Sequence, residues 1–587
     1  MKRILSVLLA VSMLFGCVAL LASCGAPDND GAEISVYLGE SVYDFDPSDY
    51  YVENNAEQVL SLLYEPLFKL NDWGNIENAA ASWWGVDEGE RTIRIELRES
   101  YWSDAIRVTA EDFVFAWTNL ILEPNNANPA AALLYDIENA YEIKKGDVSV
   151  FELGAVATGT YELTITYREG ADYRQLLKNL ASVATSPIRQ DVVTDFTQGY
   201  WSKAVNSAVT NGPFRLNVVD PDSFTLSRNE GYHQLPTVEN PTTIVTPNKL
   251  VTFHDAANKD FKITYKDLVE KTVFYMGDAS LKDRKDNKDT AIVADDLSTY
   301  TYVFNTDKPL FAIKEVRQAL SMAVDREAII SAITFGKAAT GFLPENVLDI
   351  NTGKSFREGD AAKLISTTAK LKEANALLKN VDFTGIDKSI TLTVADNVEA
   401  VAIANLVKAA WEKLDCKFKV TVEKVGVITK TVNDFSTNSP MEITDSELQV
   451  LVNEASRGNR DFDVIGIDWQ MYSTDAFVAL SAFAKDFSGC GKDFKSGVSY
   501  GSFGGYSNKE YDKLIKAAYD ADNKATRSEK LYAAEKLLLE DAAVMPLVFN
   551  QTFAFVSEDL YDVSFDGFGN VVFTRVSQKD YEKYLGE

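Results

Sequence analysis

Between Thr92 and Pro124 the hydrophobic period changes once, and no other stretch constrains the architecture as much. Ile93, Ile95 and Leu97 alternate with Thr92, Arg94 and Glu96, the period of two that marks a half-buried strand. A turn at Glu99-Ser100 follows, then Trp102-Ser103-Asp104, where a bulky ring meets a short polar run. Thr109 offers a hydroxyl to start a helix, and Asp112, three residues on, can reach back to it. That is a capping box with Asp in place of Glu. Phe113, Ala116, Trp117 and Leu120 then share one helical face. A strand, a turn and a docked helix in this order belong to a mixed α/β protein.

Similar units recur along the chain. Tyr161–Tyr167 alternates as a strand and precedes a helix over Tyr173–Leu180. Thr210-Asn-Gly-Pro-Phe214 opens a hairpin that turns at Asp220-Pro-Asp-Ser223. Ser298–Asn305 is a β-branched and aromatic strand leading to the helical run Val316–Arg326. Arg317 and Asp325 in that run read as a structural ion pair. Ile390–Val394, a helix over Val401–Leu414 and Val420–Val422 have βαβ order, which predicts a parallel pair. Asn433–Asn459 is polar and acidic and reads as a partly helical insertion. At 587 residues the chain exceeds one domain and suggests about three or four core units.

The first residues carry an address. Lys2-Arg3 precedes the apolar run Ile4–Leu20, and Leu21-Ala22-Ser23-Cys24 closes it. This resembles a bacterial lipobox, in which Cys24 is lipidated after cleavage at Ser23–Cys24; the alternative is an uncleaved membrane anchor. Loss of Cys17 with the signal peptide leaves Cys416 and Cys490, as one disulfide or as two free thiols. The 87 acidic against 58 basic residues disfavour a nucleic-acid partner. Two histidines, His233 and His254, argue against a zinc site or a Ser-His-Asp triad. Gly489-Cys-Gly-Lys492 lacks phosphate-loop spacing, and no nucleophile stands with a base.

Three blocks, read together, resemble the substrate-binding proteins of oligopeptide and dipeptide ABC importers. Arg98, Trp102, Ser103, Asp104, Val108–Phe113 and Trp117 match that family's "LR…WSDG…VTAEDVVF.W" pattern, with Ala105 where Gly is usual and Arg107 where Pro is common. Val316–Arg326 is similar to its "VRQALSxAIDR" helix, and Tyr506–Ile515 to its "YSNPEYDKLI", with Lys509 for Pro. The resemblance covers about residues 34–575. It implies an α/β, two-lobed periplasmic-binding-protein-like fold of class II, with hinge strands and an extra subdomain inserted in the first lobe. The expected divisions are 1–23 signal peptide, 24–33 lipidated tether, 34–75 first lobe, 76–205 inserted subdomain, 206–297 first lobe again, 298–545 second lobe and 546–587 return to the first.

The resemblance also implies a function: capture of oligopeptides between the lobes by a monomer held at the outer membrane face through Cys24, periplasmic if the cell is Gram-negative. Delivery would go to an ABC permease with separate ATPase subunits, without cofactor, metal or catalysis. Other solutes, such as a sugar or metal complex, remain alternatives, as do sensing and chaperoning without import. Asp461–Trp469 resembles the family's pocket-lining "YDVxxxGW" strand. Asp468, Trp469, Gln470 and Tyr472 are therefore expected on one wall of the site, with Glu53, Asn54, Asn211 and Gly212 on the other. Asn54 could equally be a helix cap. Where the family places an acidic residue after the Trp to meet a peptide's α-ammonium, this chain has Tyr472, so that anchor is displaced or absent.

Overall fold

A computed structural model describes residues 33–37, 42–49, 56–193, 201–203, 208–220, 223–233, 249–254, 273–275, 281–359, 362–433, 440–493, 495–497, 499–558 and 560–578. The leader with Cys24, the first part of the tether, Glu53 and Asn54 lie outside the described residues. Ten strands of the main sheet are numbered here in chain order. They are β1 (Glu33–Tyr37), β2 (Phe214–Asp220), β3 (Ser223–Arg228), β4 (Lys249–His254), β5 (Val273–Tyr275), β6 (Ile292–Phe304), β7 (Ser389–Ala395), β8 (Lys419–Val425), β9 (Val464–Gln470) and β10 (Val544–Val556). Their order across the sheet is β8-β7-β9-β6-β10-β5-β1-β4-β3-β2, and Lys337–Ala338 adds a short strand on β10.

The sheet serves two lobes, with β5-β1-β4-β3-β2 in the first and β8-β7-β9-β6 in the second. β6 and β10 are 13 residues each and run through both. They pair antiparallel at Ile292–Asp295 and again from Thr299 to Val303, with the register broken between Asp295 and Thr299. At its far end β10 pairs β5 through Phe555 and Val556. Burial changes along β6 at the same place. Residues 292–296 are never fully buried, whereas 297–304 are buried throughout, as in a strand covered on both faces. Helices Lys314–Met322, Arg326–Ile333 and Val398–Trp411 cover one face of the second lobe around Tyr302 and Trp411. Helices Ala476–Ser481, Lys509–Tyr519 and Lys524–Glu540 contribute to the other core. The βαβ pair is parallel as expected, Ser389 facing Lys419.

The inserted subdomain is a four-stranded antiparallel sheet in the order 81–87, 92–97, 162–166, 155–159, with helices packed on it. Ile93, Ile95 and Leu97 are buried while Arg94 and Glu96 are exposed, as the alternation requires. The Asp112 carboxylate accepts from the Thr109 N–H at 2.8 Å, from its hydroxyl at 3.0 Å and from the Trp102 indole at 3.3 Å. Beyond Ala116 the helix widens into a π turn over Trp117–Ile121, yet Phe113, Ala116, Trp117 and Leu120 all stay buried. Ala105 has φ +66°, a left-handed conformation that the glycine usual in this pattern would adopt without strain.

One expectation changes, and two that were broader are filled in. The insertion expected over 433–459 is partly helical as read, with helix Glu447–Ser456, and its strand Pro440–Ser446 pairs antiparallel with the preceding Val427–Asn433. Its β-branched residues favour strands more than its polarity suggests. Arg317 does not pair with Asp325. It donates to the carbonyls of Phe311, Asp541 and Ala542, while Asp325 caps the next helix through the Ala328 N–H. Cys416 and Cys490 are free thiols.

Candidate functional site

β9 ends at the most enclosed part of the second lobe. Trp469 is held there by three rings: Phe483 stacked at 4.8 Å, Phe503 stacked at 5.2 Å and Phe342 edge-on at 5.5 Å. After Gln470 the chain turns through Met471 and Tyr472, and Tyr472 takes φ +59°. A small cavity opens against this turn. Trp469, Gln470, Met471 and Tyr472 form one side and Val478, Ala479 and Ala482 another. Ser456, Ser488, Cys490 and Phe503 complete the second-lobe lining, and Pro129 comes from the inserted subdomain.

A buried polar seam runs beside the cavity. Asp475, three residues after Tyr472, caps helix Ala476–Ser481 and accepts from Arg527 at 2.9 Å. Arg527 also reaches Asp136 of the inserted subdomain at 3.3 Å, and Arg168 holds the same carboxylate at 2.6 Å. Burial pushes the Asp475 carboxyl up, with Arg527 opposing. Burial also opposes ionisation of Asp136, but Arg527 and Arg168 hold it below the usual range. Ser473 donates to Asn179 at 2.6 Å, and the Asn128 N–H donates to the Gly489 carbonyl at 2.8 Å. Tyr141 stacks on Phe487 at 4.3 Å across the same boundary. Cys490 is buried and its thiol is pushed up by that burial, so it is no nucleophile at neutral pH. Burial lowers nearby Lys144 to about 7, and its ammonium donates to the carbonyls of Ile121, Glu123 and Asn126.

The first lobe meets this junction through residues 42–49. Asn128 Nδ2 donates to Ser48 at 3.4 Å. Lys203 bridges Asp44 at 2.8 Å and Asp445 of the second lobe. Asp49 accepts from Gln449 and Asn453, both at 3.4 Å. Burial, then Asp46 and Asp44, push Asp49 up to about 7 against Lys203 and Arg457. Burial and Asp44 push Asp46 up to about 6. A carboxyl raised in the folded chain keeps its proton to higher pH than in the unfolded chain. Its stabilisation is complete below the ordinary value of 3.8 and is lost as pH rises through about 7. Asp49→Asn is therefore expected to match the parent's unfolding midpoint near pH 4 and to exceed it near pH 8. A midpoint no higher than the parent's at the alkaline end would contradict this.

Trp469, Gln470 and Tyr472 thus meet at one cavity, whereas Asp468 stands apart. Its carboxylate accepts from Asn550 at 2.6 Å beside Tyr300. Asn211 and Gly212 are buried away from the cavity. The Asn211 amide pairs with both backbone groups of Glu65, at 2.9 and 3.0 Å, and Gly212 N–H donates to the Leu63 carbonyl. A Cβ on Gly212 would stand 2.6 Å from the Leu63 carbonyl carbon. Gly212→Ala is expected to cost about 1–3 kcal/mol or more, read as a lower denaturant midpoint; an unchanged midpoint would refute the close approach. Pro129, Ser456, Val478, Ala479, Ala482, Ser488, Cys490 and Phe503 carried no sequence signal, being small or apolar residues drawn from four distant segments.

A second, roomier cavity lies in the first lobe between helix Ala56–Leu63 and residues 566–575. Its carboxylates serve the fold. Burial opposes ionisation of Glu65, yet Lys69 and His233 hold it down to about 2. Asn570 bridges toward Glu57 at 3.3 Å. Among the described residues no group of three or more His, Cys, Asp or Glu is placed to hold a metal ion, and no helix is long and apolar enough to cross a membrane.

Comparison with known proteins adds a family and relatives. The family of bacterial extracellular solute-binding proteins, family 5 middle, matches residues 75–489. The dipeptide-binding protein DppE of Bacillus subtilis is 27% identical over 513 residues, covering 86% of this chain and 84% of that protein. The solved pheromone receptor PrgZ, described with its mode of peptide binding, superposes with a TM-score of 0.74 at 22% identity over 93% of this chain and 99% of that one. The murein tripeptide binding protein MppA of Escherichia coli gives 0.72 at 23% identity over 94% and 99%. Its unliganded open form gives 0.54.

Proposed function

The chain belongs to the bacterial extracellular solute-binding proteins of family 5, and on that premise we propose that it captures peptides at the cavity beside Trp469 and Tyr472 for import. It is a binding protein, not an enzyme. The cavity itself carries the reading. It lies between the second lobe and the inserted subdomain, beside the place where residues 42–49 meet both, so that closing the lobes would enclose whatever it holds. Trp469, Gln470 and Tyr472 would form its wall, on a turn held by the Met471 N–H to the Leu297 carbonyl at 3.0 Å and by the Ser473 N–H to the Met471 carbonyl at 2.7 Å. The lower overlap with the open MppA form fits lobes set in a closed arrangement. Delivery to a membrane permease with separate ATPase subunits completes the role, with the monomer tethered at the outer membrane face.

That tether would be Cys24, acylated after cleavage of the leader. More than one acyl chain gives the stable hold that a single one does not. Cys24→Ala is expected to leave the protein unlipidated by mass spectrometry of its N-terminal peptide; an unchanged acyl mass would exclude that cysteine. The solute class is tested by calorimetric titration of the purified chain with a mixed peptide pool, followed by mass spectrometry of what remains bound. Retained peptides are expected, and exclusive recovery of a non-peptide solute would end the peptide reading.

A further inference from the structure

Where the lobes meet, several carboxylates gather around one ammonium. Asp44, Asp46 and Asp49 belong to the first lobe, and Asp445 lies near the end of the second-lobe strand Pro440–Ser446. Lys203 bridges Asp44 and Asp445, so a single cation ties the two sides. Burial opposes that charge, yet Asp44 and Asp445 hold the ammonium well above the ordinary lysine range. Asp44 and Asp46 are also engaged within their own loop. Asp44 accepts from the Asp46 N–H at 3.0 Å, and Asp46 from the N–H and the hydroxyl of Ser48, both at 2.8 Å. Asp49 is placed differently. Its partly buried carboxylate meets the amides of Gln449 and Asn453 on helix Glu447–Ser456 of the opposite lobe. Among the described residues the charged groups that act on it are Asp46, Asp44, Lys203 and Arg457. Lys430 stands 3.9 Å from Asp445, and Tyr64 lies beside Asp46 and Asp44. The same helix carries Ser456 to the cavity beside Trp469, so this contact adjoins the proposed site.

We infer that these groups form a proton-dependent latch between the lobes, so that closing on a peptide takes up a proton at Asp49 and capture weakens as pH rises. The inference rests on the peptide reading above. Parting the lobes would separate Asp49 from Gln449 and Asn453 and return its carboxylate to water, where it ionises at an ordinary value. With the lobes together, burial and then Asp46 and Asp44 push it up to about 7. A carboxyl whose value rises on closing binds a proton at any pH between the two values. Its support for closure is complete below the ordinary 3.8 and is lost as pH rises through about 7. Above that, an ionised Asp49 adds negative charge to a boundary where Asp44 and Asp445 already share Lys203, and opening relieves the repulsion.

Calorimetric titration of the purified chain with a histidine-free peptide pool at pH 6, in two buffers of different ionisation enthalpy, counts the protons taken up on binding. Peptide termini keep one charge state at that pH. The parent is expected to take up about 0.5–1 proton per chain, and to lose at least about tenfold in affinity between pH 5 and pH 7. Asp49→Asn should lose most of the uptake and most of the pH dependence. Asn453→Asp sets a second carboxylate opposite Asp49 from the other lobe, and should carry the uptake on to pH 8, where the parent's fades. Peptide binding without proton uptake, or uptake that persists in Asp49→Asn, would overturn the latch while leaving peptide capture intact. No binding of any peptide would overturn both. If circular dichroism shows Asp49→Asn unfolded, the parent's proton count and Asn453→Asp decide.

Discussion

Arg527→Met is expected to destabilise the chain by about 3–5 kcal/mol, because, among the described residues, it strips the only cation from one buried carboxylate and one of two from another. Asp475 and Asp136 are 1% and 5% exposed as side chains, so neither can recover its charge partner from water. Asp136 keeps Arg168 at 2.6 Å, which places the larger burden on Asp475. The loss should therefore be relieved chiefly by Asp475→Asn in the same chain. Denaturant unfolding of the single and double variants checks this. A loss below about 1 kcal/mol, or no relief from the second change, would show that the seam is looser than its geometry implies. Asp475 also caps the helix that presents Val478 and Ala479 to the cavity, so the variant should release bound peptide faster as well.

Trp469→Ala should combine a stability loss with a binding loss. Removing a ring stacked on two others leaves a void that typically costs about 3–5 kcal/mol. The same ring is one wall of the cavity, so peptide affinity should fall with it. Trp469→Phe preserves a stack with Phe483 and Phe503 and should recover most of the stability but only part of the affinity. If the alanine variant stays folded and binds peptide like the parent, the solute does not sit against Trp469.

Much of this arrangement was legible in the residues because its signals are local. The alternation at 92–97, the Thr109–Asp112 box and the βαβ order around Val398–Trp411 each depend on neighbours a few positions apart, and each appears as read. The π turn after Ala116 was not legible, since its buried face is the one an ordinary helix would also present. Arg317 misled for a related reason. A charge near an opposite charge in sequence suggests a pair, yet backbone carbonyls from residues 541 and 542, over two hundred positions away, claim the guanidinium. The cavity shows the same limit. β9 could be placed by its resemblance, but Pro129, Ser456 and Phe503 reach it only through tertiary packing. Asn211 and Gly212 had a strong local signature, and the structure shows the close passage of a backbone there.

The long ribbon of β6 and β10 has a mechanical consequence. Both halves hang on one pair of long antiparallel strands, so a change in how they are set must pass through that pair. The ladder is interrupted between Asp295 and Thr299 and shifts register again between Tyr300 and Thr301, so turning of one half against the other should concentrate there. Severing either strand there would strip a member from the sheet of each half at once. Motion and structural integrity are therefore vested in the same two segments.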